Sequence, residues 1–325
     1  MNTATKLSGF ALGLTAVFGA AYGVGHLADP VTPAAETRHD ATETRHDATE
    51  PGHGDGHTTA APTDHLPGGL LVSDRGYTLQ PVTAPAGEFA FRIAGPDGRP
   101  VTRYDVAHDK RMHLIVARRD LSGFRHVHPE LTPDGTWRVA SPLAGPGVWR
   151  AFADFTPTGG EPLTLGVDVT VPGPLTERPL PAPAASSTVD GYTVTLTGAP
   201  QPGRTSRLTL TVSRDGRPVT DLQPYLGAYG HLVALRQGDL AYLHVHPEGA
   251  PGDGRTPAGP AVTFAAEVPS AGTYRLFLDF RHGDAVHTAE FTVVAGDVPP
   301  PAAPTTTTTP ATPDADHGAP GHGHS

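Results

Sequence analysis

The sequence predicts an all-β chain built from two tandem β-sandwiches, preceded by one hydrophobic helix and flanked by disordered tails. Three observations carry that prediction. Gly and Pro number 39 and 36 among 325 residues, and charged residues make up only 17%; this argues against a helical bundle or coiled coil and favours short strands joined by turns. Two segments on either side of a Pro-rich stretch repeat one another. Within them apolar and polar residues alternate with a period of two, as in Tyr192-Thr-Val-Thr-Leu-Thr197 and Leu208-Thr-Leu-Thr-Val212. Six or seven such strands per repeat predict an immunoglobulin-like or cupredoxin-like sandwich.

From the N-terminus, Lys6 precedes an uncharged stretch from Leu7 to Ala28, closed by Asp29 and Pro30. As a helix this stretch spans about 33 Å, enough for a ~30 Å hydrocarbon core. A basic end before an apolar run also describes a secretory signal, with Gly19-Ala20-Ala21 as the small-residue cleavage site. Residues 1–29 are therefore read as a signal peptide or transmembrane anchor. Either role places the rest of the chain outside the cytoplasm, membrane-anchored or secreted. Residues 30–66 hold a tandem, Glu36-Thr-Arg-His-Asp-Ala-Thr42 and Glu43-Thr-Arg-His-Asp-Ala-Thr49, with no means of building a core, and read as a disordered His-containing tether. The first sandwich is assigned to residues 67–172, a Pro-rich linker to 173–186 and the second sandwich to 187–296. Residues 297–325 form a Pro/Thr- and His-rich tail.

The repeat is read directly from identities. Asp97-Gly-Arg-Pro-Val-Thr102 recurs as Asp215-Gly-Arg-Pro-Val-Thr220, and residues 97–130 and 215–248 share 14 of 34 positions at a constant offset of 118. Downstream, Gly147, Arg150, Phe152, Asp154 and Phe155 match Gly272, Arg275, Phe277, Asp279 and Phe280 at an offset of 125. Asp97-Gly98 and Asp215-Gly216 are hairpin-turn signals. Later strands are expected at Trp149–Phe155, Leu163–Val171, Tyr274–Phe280 and Val286–Val294.

The absence of Cys excludes disulfides, thiolate catalysis and iron–sulfur clusters, and a net charge of −10 argues against nucleic-acid binding. The 18 histidines are the unusual count. Eight fall in the tails or tether, and His26, His108, His282 and His287 are singletons. The remaining six match across the repeat: His113, His126 and His128 against His231, His244 and His246. In His126-Val-His-Pro129 the two imidazoles share a strand face. If 113–118 and 125–129 are arms of one hairpin, His113 lies opposite His128 and three imidazoles converge. All-imidazole coordination suits Cu(II) or Zn(II), whereas soft Cu(I) wants sulfur. The only methionine besides Met1 is Met112, which as a neighbour of His113 faces the other way. Asp154 and Asp279, on matching strands, are candidates to orient an imidazole from behind. The competing reading makes the histidines structural: Val127 points inwards and the imidazoles sit on a wet strand surface.

The stretches His113-Leu-Ile-Val…His126-Val-His-Pro129 and Tyr225-Leu-Gly-Ala-Tyr-Gly-His231…His244-Val-His-Pro247 resemble a group of actinobacterial exported or membrane-anchored two-repeat proteins. More distantly the chain is similar to extracytoplasmic β-sandwich domains of the copper-resistance CopC and YtkA-like kinds. The resemblance covers about residues 70–295 and implies fold and compartment. CopC-type sites use an N-terminal His that this chain lacks in place, so no ligand is carried over.

The function expected from these readings is extracytoplasmic binding of Cu(II) or Zn(II) for sequestration or transfer, without catalysis, through one three-His site per repeat. A metal transporter or acceptor protein is the expected partner. Two other classes stay open: a cell-surface adhesion or assembly module, and a cupin-like metal-dependent enzyme, since three histidines with an open fourth position can activate water. Glu130 follows His128 by two positions rather than at the longer cupin spacing, and there is no nucleophile elbow or phosphate loop.

Overall fold

The chain is described by a computed structural model covering residues 66–296. The hydrophobic segment, the tether and the His-rich tail lie outside the described residues, as do the side chains of His244 and His246. Every described strand pairing is antiparallel and, as expected, no described residue is helical. Among the described residues no helix is long and apolar enough to cross a membrane.

The first repeat begins with β1 (Ser73–Asp74), β2 (Tyr77–Val82), β3 (Glu88–Ala94), β4 (His113–Arg118) and β5 (Arg125–Val127). It continues with β6 (Glu130–Leu131), β7 (Thr136–Ala140), β8 (Gly147–Phe155) and β9 (Leu163–Val171). One sheet has the order β1-β2-β3-β7-β6 and the other β5-β4-β8-β9. Phe91, Ile93 and Trp137 from the first meet Leu114, Val116 and Trp149 from the second in a core that also holds Met112. Met112 therefore faces away from His113, as its position in the sequence requires.

The second repeat contributes β10 (Ser186–Val189), β11 (Tyr192–Thr197), β12 (Thr205–Arg214), β13 (Arg217–Pro218) and β14 (His231–Arg236). Then follow β15 (Tyr242–Pro247), β16 (Ala261–Glu267), β17 (Gly272–His282) and β18 (Ala285–Ala295). Strand order repeats that of the first copy with two changes, the first being the short β13, which pairs with β12. Second, β15 is continuous and pairs with both β14 and β16, so the two layers join into one curled sheet, β10-β11-β12-β16-β15-β14-β17-β18. This all-β, two-repeat arrangement fits an immunoglobulin-like architecture.

The runs His113-Leu-Ile-Val-Ala and His231-Leu-Val-Ala-Leu are buried at every position. A strand exposed on one face alternates; a strand covered on both faces does not. Leu114 and Val116 point into the first sandwich, and Leu232 and Ala234 into the second. The odd-numbered positions face the other repeat. Ile115, Ala117, Leu121, Phe124 and Phe152 pack there against Val233, Leu235, Leu240, Tyr242 and Phe277. Phe124 stacks on Phe277 with centroids 4.0 Å apart, and Phe152 lies on Tyr242 at 5.4 Å. Phe124 and Tyr242 are repeat equivalents, as are Phe152 and Phe277, so the interface is isologous within one chain. The Pro-rich connection crosses this seam: Leu180 packs against it, and the Arg178 amide donates to Asp120 Oδ2 at 2.9 Å.

Candidate metal centre

The first histidine is fixed by a turn. Ala107 and Lys110 exchange backbone hydrogen bonds of 2.8 and 3.1 Å, closing a tight turn whose central residues, His108 and Asp109, have φ of 48° and 58°. Two left-handed residues define the primed hairpin turn that normally takes Asn-Gly. The turn aims the Ala107 carbonyl at His113, whose Nε2 lies 3.0 Å away. A carbonyl only accepts, so His113 carries its hydrogen on Nε2 and keeps the Nδ1 lone pair.

The second histidine is fixed by the other repeat. The ladder sets His126 opposite Ile115 and Val127 opposite Leu114, which brings His128 across from His113. His126 Nδ1 donates to Asp279 Oδ2 at 3.0 Å, and the two side chains are 5% and 6% exposed. A carboxylate acceptor places the hydrogen on Nδ1 and leaves the lone pair on Nε2. His113 Nδ1 and His126 Nε2 are 3.0 Å apart. Two acceptor lone pairs thus face one another across a distance that only a shared proton or a cation makes favourable. A tetrahedral ion with bonds of ~2.0–2.1 Å holds its ligand nitrogens about 3.3 Å apart, close to this separation.

His128 completes the group, with ring centroids 5.1 Å from His113 and 4.8 Å from His126. Its Nε2 is buried without a hydrogen-bond partner among the described residues. Burial first, then His126, His113, Lys110 and His231, push its imidazole down to about 3. The ring is therefore neutral at ordinary pH, the form that ligates a metal. One ligand atom from each of the three histidines lies within 4.8 Å of the others, a group that could hold a metal ion.

The sequence offers a histidine triad and a candidate orienting aspartate in each repeat; the structure brings Asp279 of the second repeat to His126 of the first. The carboxylate behind His126 is Asp279 of the second repeat, while Asp154 accepts from Thr164 at 3.1 Å and from the Tyr242 hydroxyl at 3.2 Å. A strand period of two shows which face a residue is on but not what covers that face. His231 is held as His113 is, its Nε2 2.8 Å from the Tyr225 carbonyl in a turn closed between Tyr225 and Ala228. Its ring lies 5.4 Å from His108 and 6.4 Å from His126, so it shares the inter-repeat surface with the first triad. The backbones of His244 and His246 lie on β15 opposite Val233 and Ala265.

Two residues at this surface were not singled out from sequence. His108 has no histidine counterpart in the second copy, where Leu226 stands. Tyr225 reaches within 6.4 Å of the His128 ring. The one signal available was Gly227, which matches Asp109 and marks the turn. The singletons His282 and His287 belong to a different cluster: His282 bridges the Tyr192 hydroxyl (2.7 Å) and Asp221 (3.1 Å), and His287 meets Asp190 at 2.8 Å. A cleft of about 650 Å³ borders the site, lined in part by His108, Lys110, Arg111, His113 and Asp154.

A family model described as a domain of unknown function, DUF8832, matches residues 76–173 and again 187–297, together more than half of the chain. The chain belongs to the DUF8832 family. Its two DUF8832 segments coincide with the two strand systems described above. Among solved structures, a DUF3823 family protein from Bacteroides uniformis ATCC 8492 is similar at 14% identity and a TM-score of 0.17, over 61% of this chain and 91% of that one. At that score the likeness bears on neither fold nor function. No curated protein matches this DUF8832 chain. None of these findings supports the resemblance to CopC- and YtkA-like domains or to an actinobacterial group.

Proposed function

We propose that this DUF8832 protein binds Zn(II) or Cu(II) outside the cytoplasm through His113, His126 and His128, and sequesters the ion or hands it to an acceptor protein without catalysing a reaction. The observation that carries the reading is the fixed, convergent lone pairs of His113 and His126, set by the Ala107 carbonyl and by Asp279. Structural histidines are built the opposite way, with a donor facing an acceptor. The neutral His128, with a buried nitrogen awaiting a partner, supports the same donor set. The compartment rests on the Leu7–Ala28 stretch as read from sequence.

The test uses the full chain purified without a metal-affinity step and titrated with Zn(II) and Cu(II) against nitrilotriacetate, which removes ions from weak tail histidines. Uptake against the chelator is expected in the wild type. In His126→Ala/His128→Ala the first-repeat site should weaken by more than the ~10–100-fold that loss of an outer partner causes. A wild type that takes up no more than this variant overturns the reading.

A further inference from the structure

We infer that Asp279 is a positioning residue acting across the repeat interface: it holds His126 in the one tautomer that keeps the site open to a metal. The inference rests on the metal reading above. It adds that the first repeat's site is completed only when the second repeat is docked.

The reasoning starts from what His126 does without Asp279. A neutral imidazole chooses between two tautomers. With its hydrogen on Nε2, His126 would donate to His113 Nδ1 at 3.0 Å, and the pair would satisfy itself as an ordinary hydrogen bond. The carboxylate excludes that outcome by taking the Nδ1 hydrogen. Asp279 is itself held: its Oδ1 accepts from Thr288 Oγ1 at 2.6 Å, Thr288 being its ladder partner on β18. At 6% exposure water is a poor substitute for it.

The geometry ties this bond to docking. Phe124 and His126 are two residues apart, and so are Phe277 and Asp279. Alternate side chains of β5 and of the residue just before it therefore meet alternate side chains of β17. The Phe124–Phe277 stack at 4.0 Å and the His126–Asp279 bond at 3.0 Å are successive rungs of one contact between repeats. A metal that prefers the open tautomer must favour the docked arrangement by the same factor that docking favours the metal.

The experiment reads tautomer and affinity separately in the full chain. Long-range proton–nitrogen correlation spectra of metal-free protein are expected to show His126 protonated on Nδ1. In Asp279→Asn the amide can donate to Nδ1, so the Nε2-protonated form should appear and Zn(II) affinity against nitrilotriacetate should fall by about 10–100-fold. Asp279→Glu, which keeps the acceptor, should recover part of both. Thr288→Val, which loosens Asp279 without removing its charge, should give a smaller loss in the same direction. Wild-type tautomer and affinity in folded Asp279→Asn overturn the inference. A wild type with the Nδ1 tautomer but no Zn(II) uptake instead sinks the metal reading and leaves the cross-repeat positioning standing.

Discussion

Between Arg150 and Asp154 of β8, and between Arg275 and Asp279 of β17, the two repeats agree at one set of alternate residues and differ at the other. Arg150, Phe152 and Asp154 are identical to Arg275, Phe277 and Asp279. These positions turn away from their own sandwich, Phe152 and Phe277 into the shared seam and Asp279 onto His126. The intervening residues, which fill the separate cores, differ: Ala151 and Ala153 stand where the second copy has Leu276 and Leu278. The volume is made up elsewhere. In the same core as Ala153 the first copy carries Met112, whose counterpart Gly230 has Leu278 Cδ1 only 3.1 Å from where a Cβ would stand. The cores have been repacked at these positions, a change cores tolerate when total volume is kept, and the seam has changed too: Ile115, Ala117 and Phe124 stand where the second copy has Val233, Leu235 and Tyr242, around the shared Phe152 and Phe277.

Removing the seam's best stack should break this comparison most visibly. Phe277 is fully buried, and Phe277→Ala should cost about 3–5 kcal/mol in chemical denaturation. Phe152→Ala, its equivalent, should cost a comparable amount although its partner ring is tilted by 30° rather than 5°. Loss at only one of the two positions would show that the seam is isologous in shape but not in energy.

A smaller effect is expected from exchanging the cores. Gly230→Met alone forces a side chain against Leu278 and should destabilise by about 1–3 kcal/mol. Adding Leu278→Ala restores the first copy's pairing of Met112 with Ala153 and should recover much of that loss, a coupling a double-mutant cycle isolates. Additive costs would mean that the two positions do not share space.

Much of this comparison was legible in the sequence, and the missing part has a physical reason. Identities at fixed offsets exposed the duplication, and β9 runs from Leu163 to Val171 as the alternation predicts. The hairpin arms carrying His113, His126 and His128 also follow from strand periodicity and a loop of the right length. The contact of Asp279 with His126 across the repeats does not. His126 and Asp279 are 153 residues apart, and a period of two identifies a face without naming its neighbour. The unbroken apolar runs of β4 and β14 were the available hint that both faces are covered.

The turns that hold His113 and His231 offer the finest comparison. Both copies place two residues in the left-handed region, His108 and Asp109 in the first, Leu226 and Gly227 in the second. They approach one another, a Cβ on Gly227 lying 3.9 Å from Asp109 Oδ2. Glycine adopts that conformation without steric cost, whereas Asp109 bears a penalty only partly relieved by its short polar side chain. Asp109→Gly should therefore stabilise the protein, by no more than ~1 kcal/mol because glycine also gains entropy in the unfolded chain. The Ala107 carbonyl that fixes His113 is untouched by the change, so Zn(II) affinity against nitrilotriacetate should stay within a factor of about two, roughly 0.4 kcal/mol. A larger fall in affinity would mean that the Asp109 carboxylate acts on the site itself, and that the first copy has kept a strained residue there for its charge.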